Sequence, residues 1–475
     1  MNPISPTART FLGLGLAALT ALSGCMVGPD YKPPQTKPPP AWAGVTNGPA
    51  AGTQLTTNAA DLAQWWTQFQ DPKLTELVRQ ALRTNLDVQL AEALLRPARA
   101  QRGMDVGGLW PSPAVSASES YGRLGPGDNS QRSYNAGLGI GSWVVDVFGR
   151  TRRQVESDNA AILAAHENIH DAQVTLTAEV ALDYILLRGA QEQIVIARDN
   201  LTSEEHTADL TRQKLKAGFV SALDVANADA QVATTASAIP GLETTVQQNI
   251  FALGVLLNRP PADLLEDLSK TAPVPLTPPE VPVGLPSELL RRRPDIRSAE
   301  ASLHAAAAQI GAAVADFYPQ FSLTGSVNYQ SSLARDLLTG PSRTWSVGPQ
   351  VKWPIFSGGS TISNVRLKKA QTDAAYITYQ KTVLGALSDV ESALVALNKE
   401  WDHRRVLSTA VEKNRQALSL SQQLYQQGTT DFLSVLDAER SLFTSEQNLA
   451  TSKQSILTDL VNLYKALGGG WDEKN

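Results

Sequence analysis

The sequence predicts an α+β membrane protein built from two tandem copies of one unit, and three observations carry that reading. The first is an internal repeat. Asp87, Gln101, Gly103 and Pro111 recur as Asp295, Gln309, Gly311 and Pro319, an offset of 208, while Gly218, Leu223 and Val225 recur as Gly428, Leu433 and Val435 at 210. Self-similarity at a fixed offset marks a duplicated architecture. The second is a pair of period-two stretches in each copy, the mark of strands with one apolar face. The third is a long proline-free run after each pair, rich in Ala, Gln, Leu and Glu. Some 60 residues of helix would span roughly 90 Å, more than a single-domain core requires.

The chain opens on a targeting segment, residues 1–24. Arg9 gives a positive start, Phe11 to Leu22 an apolar core, and small residues lead to Cys25. Cys25 is the only cysteine, which excludes an internal disulfide and a cysteine zinc cluster. Leu22-Ser23-Gly24-Cys25 resembles a bacterial lipobox, which implies cleavage before Cys25 and its acylation. Several acyl chains anchor a protein stably where one does not. Met26, in place of Asp, resembles an outer membrane address. An ordinary signal peptide with an incidental cysteine is the alternative.

Residues 25–72 form a Pro-rich arm and a segment containing Trp65, Trp66 and Phe69, ending at Asp71-Pro72, a helix N-cap with proline at the first position. Repeat one covers 73–258. Its first helix runs to about Gly107, with a kink or break expected at Pro97. Strands follow over Ala114–Gly122 and Tyr134–Val147, then a long helix over Gln154–Lys216. A helix from Ala222 to about Leu257, interrupted at Pro240, completes it. Residues 259–284 are a Pro-rich, loop-rich connector. Repeat two covers 285–467, with strands around Phe321–Gln330 and Trp345–Trp353, a long helix over Thr361–Gln427, and a last helix from Asp431. Residues 468–475 are a tail.

The strand faces follow from alternation. Tyr134, Ala136, Leu138 and Ile140 share one face, and Asn135, Gly137, Gly139 and Gly141 the other. The expected lipid-facing set is Leu138, Ile140, Leu323, Val327, Val347 and Val351, with Thr324 and Asn328 turned to water. Aromatic residues at strand ends suit membrane interfaces. The pattern alone leaves a soluble sheet packed on helices open. Four strands cannot close a barrel, so a barrel requires several copies to pool them.

The last hairpin is the most informative stretch. Gly428 sits where a helix C-cap wants a residue tolerant of positive φ, and Thr429, Thr430 and Asp431 offer N-cap chemistry. Downstream, Val435, Leu442, Leu449, Ile456 and Leu463 form one seven-residue column, and Leu436, Phe443, Ala450, Leu457 and Tyr464 another. Such a repeat bends helices into a left-handed coiled coil. Ala438, Ser445 and Ser452 form a third, small column.

Composition narrows the function. The net charge of −5 and the lack of a Lys/Arg run argue against nucleic acid. Beyond the leader, no apolar run reaches the ~20 residues of a membrane helix. No phosphate loop, nucleophile elbow or spaced acid pair appears, so neither an enzyme nor a cofactor is expected. His166-Glu167-Asn168-Ile169-His170 matches a zinc-protease pattern. However, Gln173 stands where the extended motif wants glycine, and the repeat counterpart, Tyr376 to Gln380, carries no ligand. No metal site is therefore assigned. A zinc metallohydrolase using His166 and His170 and a purely structural coiled-coil scaffold remain the non-transport alternatives.

Val27-Gly28-Pro29-Asp30-Tyr31, Trp65-Trp66 with Phe69-x-Asp71-Pro72-x-Leu74, Arg291-Arg292-Arg293-Pro294-Asp295-Ile296 and Leu436-Asp437-Ala438-x-Arg440 together resemble the lipoprotein outer membrane factors of tripartite efflux systems, TolC/OprM-like and of the NodT family. The resemblance covers the mature chain. It implies a homotrimer, each protomer giving four strands to a transmembrane β-barrel that continues into a long periplasmic α-helical coiled-coil barrel. It implies an outer membrane conduit for drugs and other small toxic compounds, lipid-anchored and reaching into the periplasm. Its partners would be a periplasmic adaptor (membrane fusion) protein, an inner-membrane pump of the RND type and outer membrane lipid. A channel for type I protein secretion is the alternative cargo. In the family the inner helix pair constricts the tunnel, and the matching gate residues are Tyr425, Leu433, Asp437 and Arg440.

Overall fold

The computed structural model describes residues 26–44, 54–56, 62–123, 130–278 and 280–472. The leader and Cys25 lie outside them. The elements, in order, are β1 (Gln54–Thr56), α1 (Pro72–Thr84), α2 (Leu86–Gly107), β2 (Pro113–Gly122), β3 (Gln131–Val145), α3 (Arg150–Lys216), α4 (Ala222–Leu256), β4 (Glu280–Pro282), α5 (Pro286–Arg292), α6 (Pro294–Ala315), β5 (Gln320–Ser331), β6 (Arg343–Lys352), α7 (Ser360–Gln426) and α8 (Phe432–Ala466), with short helical turns between. The repeat is kept in element lengths: α2 and α6 have 22 residues each, α3 and α7 67, α4 and α8 35.

Two expectations about proline are corrected. The break falls at Asn85, and α2 runs through Pro97. Asn85 ends α1 and caps α2, its Oδ1 accepting from the backbone of Asp87 (2.8 Å) and Val88 (3.2 Å). α4 likewise continues through Pro240. Both prolines are solvent-exposed, so water can satisfy the carbonyl each ring strips of its helical partner.

The chain forms two compact units, each drawing on both repeats. The first contains the arm through Gln35, residues 93–166 and residues 298–381. Its sheet is antiparallel in the order β2-β3-β5-β6, with both outer edges open. One face carries Val115, Leu138, Val327 and Trp345 in a single cross-strand row; the row beside it, on the other face, is Ser116, Gly137, Asn328 and Thr344. A bulge between Ile140 and Trp143 sets two residues of β3 against one of β5. Unbroken alternation would turn Trp143 and Val145 to the polar face; the bulge brings them back beside Leu323 and Phe321. Val115 is 81% exposed and Val347 70%.

The arm motif is packed in this unit. Val27 donates to Phe148 O (3.2 Å), and Gly28, at φ +91°, lies directly on the Gly311 backbone with no room for a Cβ, while a Cβ on Gly311 would press on the Arg153 side chain. Arg153, 2% exposed, bonds Asp30 (2.7 Å) and the Val27 carbonyl (3.2 Å). Tyr31 stacks on His304 at 4.2 Å.

The second unit contains residues 36–92, 167–297 and 382–472 of the described chain. Trp65, Trp66 and Phe69 are buried, and Trp65 stacks on Tyr464 at 5.0 Å. Asp71 caps α1 as expected, accepting from Lys73 and Leu74. Arg293 bonds Asp295 (2.7 Å), Asp389 (3.1 Å) and the Ala466 carbonyl (3.1 Å), tying the start of α6 to α7 and α8. The loop-rich connector contributes the three-residue β4, which pairs in parallel with β1.

Candidate functional site at the hairpin turns

Two helical hairpins of the second unit, α3/α4 and α7/α8, turn at Gly218 and Gly428 with the same hydrogen bonds. Gly218 N donates to Leu215 O and Phe219 N to Lys214 O, both 2.9 Å; Gly428 N donates to Tyr425 O (3.2 Å) and Thr429 N to Leu424 O (3.0 Å). These are Schellman caps, and the glycines stand at φ +79° and +76°. The following helices are capped differently. Ser221 forms a capping box with Asp224, whereas Asp431 accepts from the Ser434 backbone (3.0 Å) and hydroxyl (2.7 Å).

Behind the turns lies an apolar cluster of Ala208, Ala228, Tyr425, Phe432, Val435 and Leu436. Tyr425 packs here, 5.8 Å from the Phe432 ring. Lys214 lies 3.6 Å above the Tyr425 ring and donates to its carbonyl at 2.8 Å. A cation of one hairpin thereby caps the other helix's C-terminus. A cleft of about 830 Å³ opens between the turns, lined by Lys214, Phe219, Asp224, Tyr425, Asp431 and Phe432 among others.

The other expected gate residues lie on one stripe of α8, four and three residues apart. Leu433 is 52% exposed. Asp437 is exposed and, among the described residues, has no ion pair within the protomer. Arg440 does not pair with Asp437; its Nε donates to Gln231 Oε1 on α4 at 2.7 Å. Tyr425 thus belongs to the packed interior, apart from that stripe.

Sequence reasoning missed a buried polar junction between the hairpins. Gln231 Nε2 donates to Glu204 Oε1 at 3.0 Å, so its amide links Arg440 on α8 to Glu204 on α3. Thr207 on α3 donates to Glu439 Oε1 on α8 at 2.8 Å. Glu204 and Glu439 are 4% and 5% exposed. Burial pushes both carboxyls up. The side chains of Gln231 and Thr235 and the charge of Arg440 act against this at Glu204; Thr207 and Gln422 do so at Glu439, where the charge of Glu204 adds to the rise. No spacing rule finds such a cluster, because its members come from different helices.

The zinc-protease pattern on α3 is occupied otherwise. Glu167, the carboxylate that would activate water, is 1% exposed and salt-bridged to Arg297 at 2.7 Å. His170 lies 3.3 Å from Glu167 and stacks on Trp471 at 4.2 Å. A glutamate held by a guanidinium is not poised as a base.

The outer membrane efflux protein family matches residues 77–259 and 285–469, two stretches that begin 208 residues apart. The chain is 34% identical over 475 residues to the probable efflux pump outer membrane protein TtgC of Pseudomonas putida, covering 98% of this chain and 96% of that protein. It is 32% identical over 430 residues to Nodulation protein T of Rhizobium leguminosarum bv. trifolii, covering 90% of each. Among solved structures, the outer-membrane channel OprN superposes with a TM-score of 0.87 at 37% identity, over 94% of this chain and all of that one. The chain therefore belongs to the outer membrane efflux protein family, as an outer membrane channel protein of tripartite efflux and not an enzyme.

Proposed function

We propose that three copies of this chain assemble into a passive exit conduit for drugs and other small toxic compounds, closed at rest by the α7/α8 hairpins. Each protomer contributes β2, β3, β5 and β6 to a closed barrel. A sheet with an exposed apolar face and two open edges supports this reading, since neither is stable in water alone. Leu138, Val327 and Val347 then meet lipid, and Thr324 and Asn328 meet the lumen. Acylated Cys25 anchors the mature N-terminus in the outer membrane, which mass spectrometry of that terminus reads. A periplasmic adaptor and an RND-type inner-membrane pump supply docking and energy.

One observation carries the gate. Leu433, Asp437 and Arg440 form an exposed stripe on α8, and Asp437 lacks a partner in its own protomer. Three such stripes around an axis give an apolar ring from Leu433 and charge-assisted links from Asp437 to neighbouring copies. Asp437→Ala with Arg440→Ala is expected to raise single-channel conductance several-fold in planar bilayers while the trimer persists. Unchanged conductance in an assembled double variant moves the gate to Leu433.

A further inference from the structure

The polar junction behind the stripe joins the two hairpins through groups that titrate. Arg440 on α8 reaches Gln231 on α4, which reaches Glu204 on α3; Thr207 on α3 reaches back to Glu439 on α8. Both ends of α8's attachment therefore run through a buried carboxyl. We propose that Glu204 and Glu439 are a proton-operated coupling between the hairpins, tight when the pair holds a proton and loosened when both ionise. This rests on the gate reading and adds its regulation: acid in the periplasm favours the tied tip, and a rise in pH releases α8.

The surroundings give the coupling its sign. From α8, Arg440 is the cation facing Glu204, and it is solvent-exposed, with its Nε on Gln231. α4 offers the neutral Gln231 and Thr235, and α7 the neutral Gln422. Asp229 on α4 is already held by Arg212 at 2.5 Å. The ionised pair thus places two anions in a buried junction against one partly solvated cation, and each adds to the other's cost. Burial favours the neutral form of both carboxyls. A carboxyl that binds its proton more tightly in the tied state than in a parted, water-filled one stabilises the tied state fully below the ordinary glutamate range. That contribution is lost as pH rises through the raised values.

The repeat supports a specialised role. At the offset of 210, Glu439 corresponds to Asp229 and Gln422 to Arg212. Repeat one closes this position as an ion pair, Arg212–Asp229. Repeat two replaces the arginine with Gln422, so the position that pairs Asp229 in repeat one offers Glu439 a neutral amide and no cation.

The test uses the full-length protein in lipid nanodiscs, with spin labels on α4 (Ala226→Cys) and α8 (Ser441→Cys). The distance distribution is followed from about pH 5 to about pH 8. The ratio of tied to parted states is expected to fall as pH rises, by about tenfold for each pKa unit by which the tied state raises one glutamate. Glu204→Gln with Glu439→Gln, which mimics the protonated pair, is expected to hold the acid distribution across the range. Each single variant should remove part of the response, and serves alone if the double one fails to assemble. A wild-type distribution that ignores pH, or a response unchanged in the glutamine variants, overturns the proposal. Conductance over the same range separates the gate reading: distances that follow the glutamates while conductance stays constant keep the coupling and dismiss the gate.

Discussion

The two hairpin turns share a backbone and differ in nearly everything else. Both close on a positive-φ glycine between helices of 67 and 35 residues. Repeat two fills its turn with Tyr425 and Phe432, where repeat one has Leu215 and Ala222. Phe432 is buried and Ala222 exposed, while Phe219 and Leu223 of repeat one are exposed too, at 81% and 68%. At the matching position repeat one carries a surface ion pair, Arg212–Asp229, whereas repeat two supplies Tyr425, Phe432, Val435 and Leu436 to the apolar cluster and Glu439 to the buried junction that the two hairpins share. Duplication has conserved the geometry that a turn requires and released the side chains for different work. Repeat two carries the expected gate stripe, and its interior is the better packed.

Removing the aromatic core breaks this contrast most severely. Phe432→Ala makes repeat two resemble repeat one and should destabilise the α7/α8 tip by about 3–5 kcal/mol, the usual cost of deleting a buried phenyl. Hydrogen exchange of the first turns of α8 measures it. Ala222→Phe should change little, because its site faces solvent. Comparable losses in the two hairpins would mean that Phe432 does not set the tip's stability.

The turns themselves should respond alike. A Cβ at Gly218 or Gly428 meets nothing within 4 Å, so the cost of alanine there is the left-handed backbone alone. Gly218→Ala and Gly428→Ala should each cost about 1–2 kcal/mol of local stability. Proteolysis or exchange at the two tips compares them. A much larger effect at one turn would reveal a conformational demand on that hairpin that the shared cap does not explain.

Much of this tip is legible in the sequence, because helix caps and heptads are local. Gly428, Asp431 and the columns through Val435 and Leu436 behave as read: Val435, Leu442, Ile456 and Leu463 are buried, as are Ser445 and Ser452 of the small column. The strands are legible for the same reason, through period two. What escapes is either compensated locally or assembled at long range. Pro97 and Pro240 are tolerated because their faces are wet. The bulge in β3 hides in Gly141-Ser142, which carry no apolar signal. The junction joins Glu204, Gln231 and Arg440 across three helices, the last two 209 positions apart in sequence. Arg440, expected in the gate through the resemblance, bonds Gln231, a neighbour in space that no local pattern points to.

The mildest change sharpens the comparison most finely. Arg212 lies against Asp209 and Asp229, its side chain 45% exposed and that of Asp229 48%. Charges that wet are screened, and holding two long side chains in one geometry opposes their attraction. Arg212→Gln gives repeat one the residue that repeat two carries as Gln422. It should alter exchange at the α3/α4 tip by less than about twofold at physiological salt, with a larger effect only at low ionic strength. Asp229 then lies exposed to water, unlike the buried Glu439, and the first hairpin is expected to gain no response to pH. A new pH response there would mean that loss of the arginine alone makes a proton-sensitive site. Its absence would leave burial of Glu439 beside Glu204 as the feature that distinguishes the second hairpin.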